Sequence, residues 1–106
     1  MSIESFIIDG ARSPIGAKNG QMVGVRSDDL AAQIIQGLMQ RNANIPAEVV
    51  EDVVVGCAFP EGPQGMLMAR SVSVLADIPI SAGAKVVNRF CGSSMDAVHQ
   101  LSASIN

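Results

Sequence analysis

The stretch Val86-Val87-Asn88-Arg89-Phe90-Cys91-Gly92-Ser93-Ser94-Met95-Asp96-Ala97-Val98 decides how this chain is read. An apolar run ends at a cysteine, and three small residues and a helical pattern follow at once. Ala84 to Asn88 reads as a strand, and a helix is placed from Cys91 to the end of the sequence. That puts a thiol at a helix N-terminus. Backbone N–H groups there lack intrahelical partners and the macrodipole is positive, so a thiolate is favoured and available for attack. Small neighbours let a bulky electrophile come close.

Working back towards the start, Val53-Val54-Val55-Gly56-Cys57 reads as a central strand with both faces buried. Between the two strands, Phe59 to Gly65 holds two prolines and two glycines and reads as an irregular loop, and a helix is expected from Gln64 to Ala76, ending before Pro79. Ser27 is a suitable N-cap, Asp28 and Asp29 complement the dipole, and Leu30, Ile34 and Leu38 recur at helical spacing, which gives a helix to about Arg41. Gly37 inside it suggests a close packing contact. Pro46 fits the first turn of a short helical segment. Ile3 to Asp9 is apolar and reads as a buried strand, followed by a Gly-rich loop from Gly10 to Gly24. The order β-α-β-α-β-α predicts an α/β fold with a largely parallel sheet, whose ligands sit at the carboxyl ends of the strands. Cys91 falls just past such an end.

Composition narrows the function. A chain of 106 residues suits one domain with a modest core. Its hydrophobic fraction of 48% and mean hydropathy of +0.33 have two explanations: surface meant for a partner, or buried parallel strands that read as apolar runs. The net charge of -3 with scattered basic residues, and only 3% aromatic residues, argue against nucleic acid. No signal peptide precedes the first strand and no apolar run is long enough to span a bilayer, so a soluble, reducing, cytoplasmic setting is expected. Two distant cysteines and one histidine do not make a zinc site, and free thiols are expected over a disulfide. No phosphate-binding fingerprint is present: Gly16-Ala17-Lys18 lacks the spacing of a Walker loop, and no G-x-G-x-x-G occurs.

The run from Val87 through Asn88, Cys91, Gly92, Ser93, Ser94, Met95, Ala97 and Val98 to Ile105 resembles the nucleophile signature of the thiolases, acyltransferases that make and cleave 3-ketoacyl-CoA. Ala11-Arg12-Ser13-Pro14-Ile15-Gly16, Asp28-Asp29-Leu30-Ala31, the strand Val53 to Cys57, and Gln64-Gly65 before Ala69-Arg70 follow in family order. The resemblance implies a thiolase-like fold and an acyl-enzyme on Cys91, formed from an acyl-CoA with release of coenzyme A and attacked by the carbanion of a second acyl-CoA, or the thiolysis of 3-ketoacyl-CoA through the same kind of acyl-enzyme. It implies coenzyme A thioesters as substrates, no resident cofactor, a place in fatty acid metabolism, and a homo-oligomer or a partner half. The family's Asn-Glu, Gly-His-Pro and Cys-x-Gly motifs do not occur in this sequence. Residues 1–106 are therefore expected to be a partial N-terminal domain ending in the nucleophile-bearing helix, without the C-terminal half and with negligible turnover alone. The alternatives are a non-catalytic module that assembles with a complete subunit, and a ketoacyl-synthase-type condensing enzyme.

Each candidate residue also has a plainer reading. Spacing alone leaves Cys91 open to being a small hydrophobe. Cys57, in a Val-rich strand, reads as packing. His99 lies eight residues along the helix, about 12 Å of rise, too far to hydrogen-bond the thiol. Asn88 and Arg89 either orient the loop or bond the strand end. The carboxylate of Asp96, one turn from Cys91, opposes a thiolate. Met66, Met68 and Met95 read as adaptable core filler, with an acyl pocket as the alternative, and Arg70 as a paired surface residue or a phosphate contact.

Overall fold

Strands β1 (Asp52–Gly56) and β2 (Gly83–Val87) pair in parallel, with Asp52 opposite Gly83 and Gly56 opposite Val87. The computed structural model describes residues 4–106. Backbone bonds extend the pair at both ends: Gly83 N–H donates to Glu51 O at 2.8 Å and Cys57 N–H to Val87 O at 2.9 Å. Both strands are rich in valine, whose branched side chains suit a pleated surface. A parallel pair needs a crossover, supplied here by helix α2 (Met68–Leu75). Helices α1 (Ser27–Arg41) and α3 (Ser93–Ile105) complete the α/β architecture.

Strand side chains alternate between faces, and the two faces meet different helices. Val53, Val55, Cys57 and Val86 lie against residues of α1 and α2, among them Ile35, Met68 and Val72. On the other face, Gly56 meets the first turn of α3. The sheet therefore lies between α1 with α2 and α3. Five of the core residues are alanines (Ala32, Ala69, Ala76, Ala82 and Ala97), which lets these layers approach closely.

Helix α1 spans the expected residues, but its start is built differently. Arg26 takes the cap position and Ser27 is the first helical residue, without a side-chain cap bond. Asp28 does that work: its carboxylate accepts from the Asp29 N–H at 2.9 Å and from Arg26 Nε and Nη2 at 3.1 and 3.0 Å. The Arg26 hydrogen bonds hold Asp28 below the usual carboxylate range. Gly37 is exposed and faces open space, so the close contact expected there is not made. Pro46 stands just before a single 3-10 turn, Ala47–Val49.

Two elements depart further from the expected ones. Helix α2 begins at Met68, not Gln64, because Gly62–Gln64 forms a separate 3-10 turn and Met66 adopts φ +55°, which no helix accommodates. The N-terminal strand is not formed among the described residues, and Ile3 of that strand lies outside them. Phe6, Ile7 and Ile8 are 76%, 84% and 76% exposed. The segment is held by side chains instead. Ser5 Oγ meets Ser102 Oγ at 2.6 Å, and Arg41 grips Asp9 through two bonds of 2.9 and 2.8 Å and Gly10 O through a third. Hydrogen bonds from Arg41, then Asn42, hold the Asp9 carboxyl far below its ordinary range. An apolar sequence favours a strand, but a strand also needs a neighbour to bond, and none meets this segment here.

Candidate active site

The site forms where β2 runs into α3. Five residues, Asn88 to Gly92, make the turn, so α3 starts at Ser93 and not at Cys91. Cys91 stands one position outside the cap residue Gly92 and is exposed, whereas Cys57 is 6% exposed; both are free thiols. Cys57 packs with Met68 and Val72, as a structural cysteine does, and Gln64 Nε2 lies 3.4 Å from its sulfur.

The turn is closed from both sides by side chains. Phe90 N–H donates to Asn88 Oδ1 at 3.0 Å, and Arg89 N–H donates to Ser93 Oγ at 2.8 Å. Ser93 in turn donates to Phe90 O at 2.6 Å and is only 3% exposed. Between these bonds Phe90 sits at φ +47°, a conformation that costs a non-glycine residue on the order of 1–3 kcal/mol and persists only where its surroundings fix it. Gly92 N–H to Arg89 O and Ser93 N–H to Phe90 O, at 3.0 and 3.1 Å, tighten the bend. The consequence is a thiol projected at the tip of a stiff strand-to-helix turn.

Electrostatics at this turn differ from the sequence expectation. Asp96 is not a bare carboxylate beside the thiol: Arg89 Nη1 lies 3.3 Å from Asp96 Oδ1, and Gln100 Nε2 donates to Oδ2 at 3.0 Å. The positive guanidinium offsets the charge that opposes a thiolate. Among the described residues, no hydrogen bond takes up the N–H groups of Cys91, Ser94 and Met95, so donors remain at the mouth of α3. His99 is exposed further along the same helix and takes no part in the turn.

The β1–α2 loop joins the same end of the sheet. Asn88 Nδ2 donates to Ala58 O at 3.3 Å, tying the two loops together. Phe59, Met66, Phe90 and Met95 are exposed. The three methionines thus separate: Met68 fills the core, while Met66 and Met95 do not. Arg70 is neither an ion-paired surface residue nor open to a phosphate, since Nη2 donates to Ala82 O at 2.9 Å and Nη1 is buried without a partner. Sequence reasoning missed Gly56 as part of the site and named Ser93 only as a small residue of the signature, without its bonds to Arg89 and Phe90. A lone glycine in a strand is itself a signal of close backbone approach, and a serine two residues after the cysteine is a cap candidate.

This turn can be set beside known proteins. The thiolase N-terminal domain family matches residues 5–106. The chain belongs to the thiolase family. A 3-ketoacyl-CoA thiolase from Alcanivorax borkumensis is 48% identical over 100 residues, which are 93% of this chain and 26% of that protein. A beta-ketoadipyl-CoA thiolase from Escherichia coli is 44% identical over 95 residues, covering 90% of this chain and 24% of the relative. Among solved structures, the Acat5 thiolase from Ascaris suum, in complex with coenzyme A, superposes with a TM-score of 0.79 at 26% identity, over 88% of this chain and 24% of that one. The chain thus spans about a quarter of the length of the thiolases it matches. The thiolase-like α/β fold expected from the sequence is borne out, and no helix among the described residues is long and apolar enough to cross a membrane.

Proposed function

We propose that Cys91 is the acyl-accepting nucleophile of a thiolase-type acyltransferase, and that residues 1–106 form the part of the N-terminal domain that presents it. The observation that carries this is an exposed thiol at the tip of a braced strand-to-helix turn in a thiolase-family chain. The Cys91 thiolate attacks the carbonyl carbon of an acyl-CoA. An S–C bond forms, the bond to the coenzyme A sulfur breaks, and coenzyme A leaves as its thiolate and takes up a proton. Unpartnered N–H groups at the mouth of α3 suit the oxyanion that develops on the way. Attack of a second acyl-CoA carbanion on the acyl-enzyme completes condensation; in thiolysis the thiolate instead attacks the 3-keto carbon of a 3-ketoacyl-CoA, the C2–C3 bond breaks, the departing acyl-CoA carbanion takes up a proton, and coenzyme A accepts the acyl group from Cys91.

Coenzyme A thioesters are the proposed substrates, in keeping with the names of the relatives and with the coenzyme A bound in the Ascaris suum thiolase. Two free thiols fit a reducing, cytoplasmic setting. The exposed Phe6, Ile7 and Ile8 fit a surface covered by the remaining thiolase portion or by a second subunit. The same exposed residues favour a second reading, a non-catalytic module that assembles with a complete subunit.

Incubation of the 106-residue chain with an acyl-CoA, followed by peptide mass mapping, separates the two. The acyltransferase reading predicts an acyl mass on the Cys91 peptide and none on the Cys57 peptide. Acylation of neither cysteine favours the assembly module.

A further inference from the structure

The Cys91 turn rests on two residues besides the cysteine, Gly56 and Asn88. A Cβ added to Gly56 would lie 2.6 Å from the carbonyl carbon of Ser93 and 2.7 Å from Cα of Ser94, and nearer still to the Ser94 amide nitrogen. All three are backbone atoms of the first turn of α3, so no side-chain rotation relieves the clash. The helix can sit on the end of β1 at this height only because residue 56 has no side chain. Small residues continue the contact on the helix side, since Ser93 and Ala97 are buried one turn apart.

Asn88 works from the opposite side. Its amide uses both ends, accepting from Phe90 N–H and donating to Ala58 O. It therefore fixes the left-handed Phe90 that turns the chain towards Cys91, and anchors that turn to the loop leaving β1. Asn88 is exposed, so its removal leaves the core untouched.

We propose that Gly56 and Asn88 are positioning residues for Cys91, Gly56 as the floor under the first turn of α3 and Asn88 as the brace across the two loops. The inference rests on the reading of Cys91 as the acyl acceptor. It adds that a thiol held exposed and in one orientation on the braced turn reacts faster than one on a loosened turn.

The test measures iodoacetamide labelling of Cys91 at neutral pH in the 106-residue chain and its variants, with Cys57 labelling as the monitor of folding. Asn88→Ala removes both bonds, of which the one from Phe90 N–H is the shorter, and is expected to slow Cys91 about fivefold, with Cys57 still protected. Asn88→Ser, whose hydroxyl can accept from Phe90 N–H, recovers most of the rate. Gly56→Ala slows Cys91 about tenfold through displacement of α3. Wild-type Cys91 rates in both Asn88→Ala and Gly56→Ala, with Cys57 protected, overturn the proposal. Where Gly56→Ala opens Cys57, the Asn88 variants decide alone.

Failure of the acyl-acceptor reading is separable. It shows as no acyl mass on the Cys91 peptide after incubation of the wild-type chain with an acyl-CoA. Amide hydrogen exchange at Phe90 and Ser93 then judges the positioning claim: exchange faster by about fivefold in Asn88→Ala supports it, and unchanged exchange overturns it.

Discussion

The turn from Asn88 to Ser93 and the segment from Ser5 to Asp9 are both placed by side-chain hydrogen bonds, yet one is a braced turn that holds out a thiol and the other an apolar strip open to solvent. The turn is bonded within itself, Asn88 to Phe90 and Ser93 to Arg89 and Phe90, and stands on β1. The N-terminal segment depends on bonds to distant residues, Arg41, Asn42 and Ser102, and its apolar side chains find little cover. Local bonding lets a short stretch assemble its own geometry, whereas a strand needs partners from elsewhere in the fold.

The comparison breaks most completely if the common support is removed. Val72 is fully buried beneath Cys57, so Val72→Asp places an unpaired charge in the core, and a loss of more than about 4 kcal/mol is expected. Thermal denaturation and Cys57 labelling read it; a folded variant with Cys57 protected contradicts the placement of the core. Ser93→Ala attacks the turn alone. It leaves the Arg89 N–H and one bond to Phe90 O unmade, at about 1 kcal/mol, and Cys91 labelling slows while the melting temperature falls by a few degrees. Labelling at the wild-type rate goes against the turn as drawn.

Acid distinguishes the two regions without mutation. Asp9 titrates lower in the folded chain than in the unfolded one, so its contribution is fully present above the ordinary carboxylate value of about 3.9. It is lost as pH falls from there through the depressed value, because the unfolded state takes up the proton first. Limited proteolysis near Gly10 should therefore be constant from neutral pH down to about pH 4 and rise only below it. A rise that begins above pH 5, or none at all in stronger acid, contradicts the Asp9–Arg41 clamp. The smallest effect belongs to Ile7→Ser: at 84% exposure it should change stability by less than about 0.5 kcal/mol, and a loss near 2 kcal/mol would mean that the segment is packed after all.

Much of this was legible in the sequence, for reasons that differ by element. Helix α1 follows from the spacing of Leu30, Ile34 and Leu38, and the β1 and β2 valine runs announce themselves. Cys91 stood out from its neighbours and from family resemblance. The two-residue error in the start of α3 arose because Phe90 adopts φ +47°, which the residue type does not advertise, so the turn consumes residues that a helical pattern also fits. Met66, also left-handed, delays α2 in the same way. Gly56 reads in sequence as one more strand position, since the helix it meets is 37 residues further along the chain. The charge on Asp96 was legible, but its pairing with Arg89, across the turn, was not.

The central claim is that this quarter-length thiolase chain already sets Cys91 in a reactive turn while Cys57 stays in the core. Iodoacetamide labelling of both cysteines at neutral pH, in the folded chain and in urea, tests it most directly. Cys91 should be modified faster in the folded chain than in urea, with Cys57 protected until the chain unfolds. Equal rates for the two thiols in the folded chain, or a Cys91 no faster than in urea, would contradict the account.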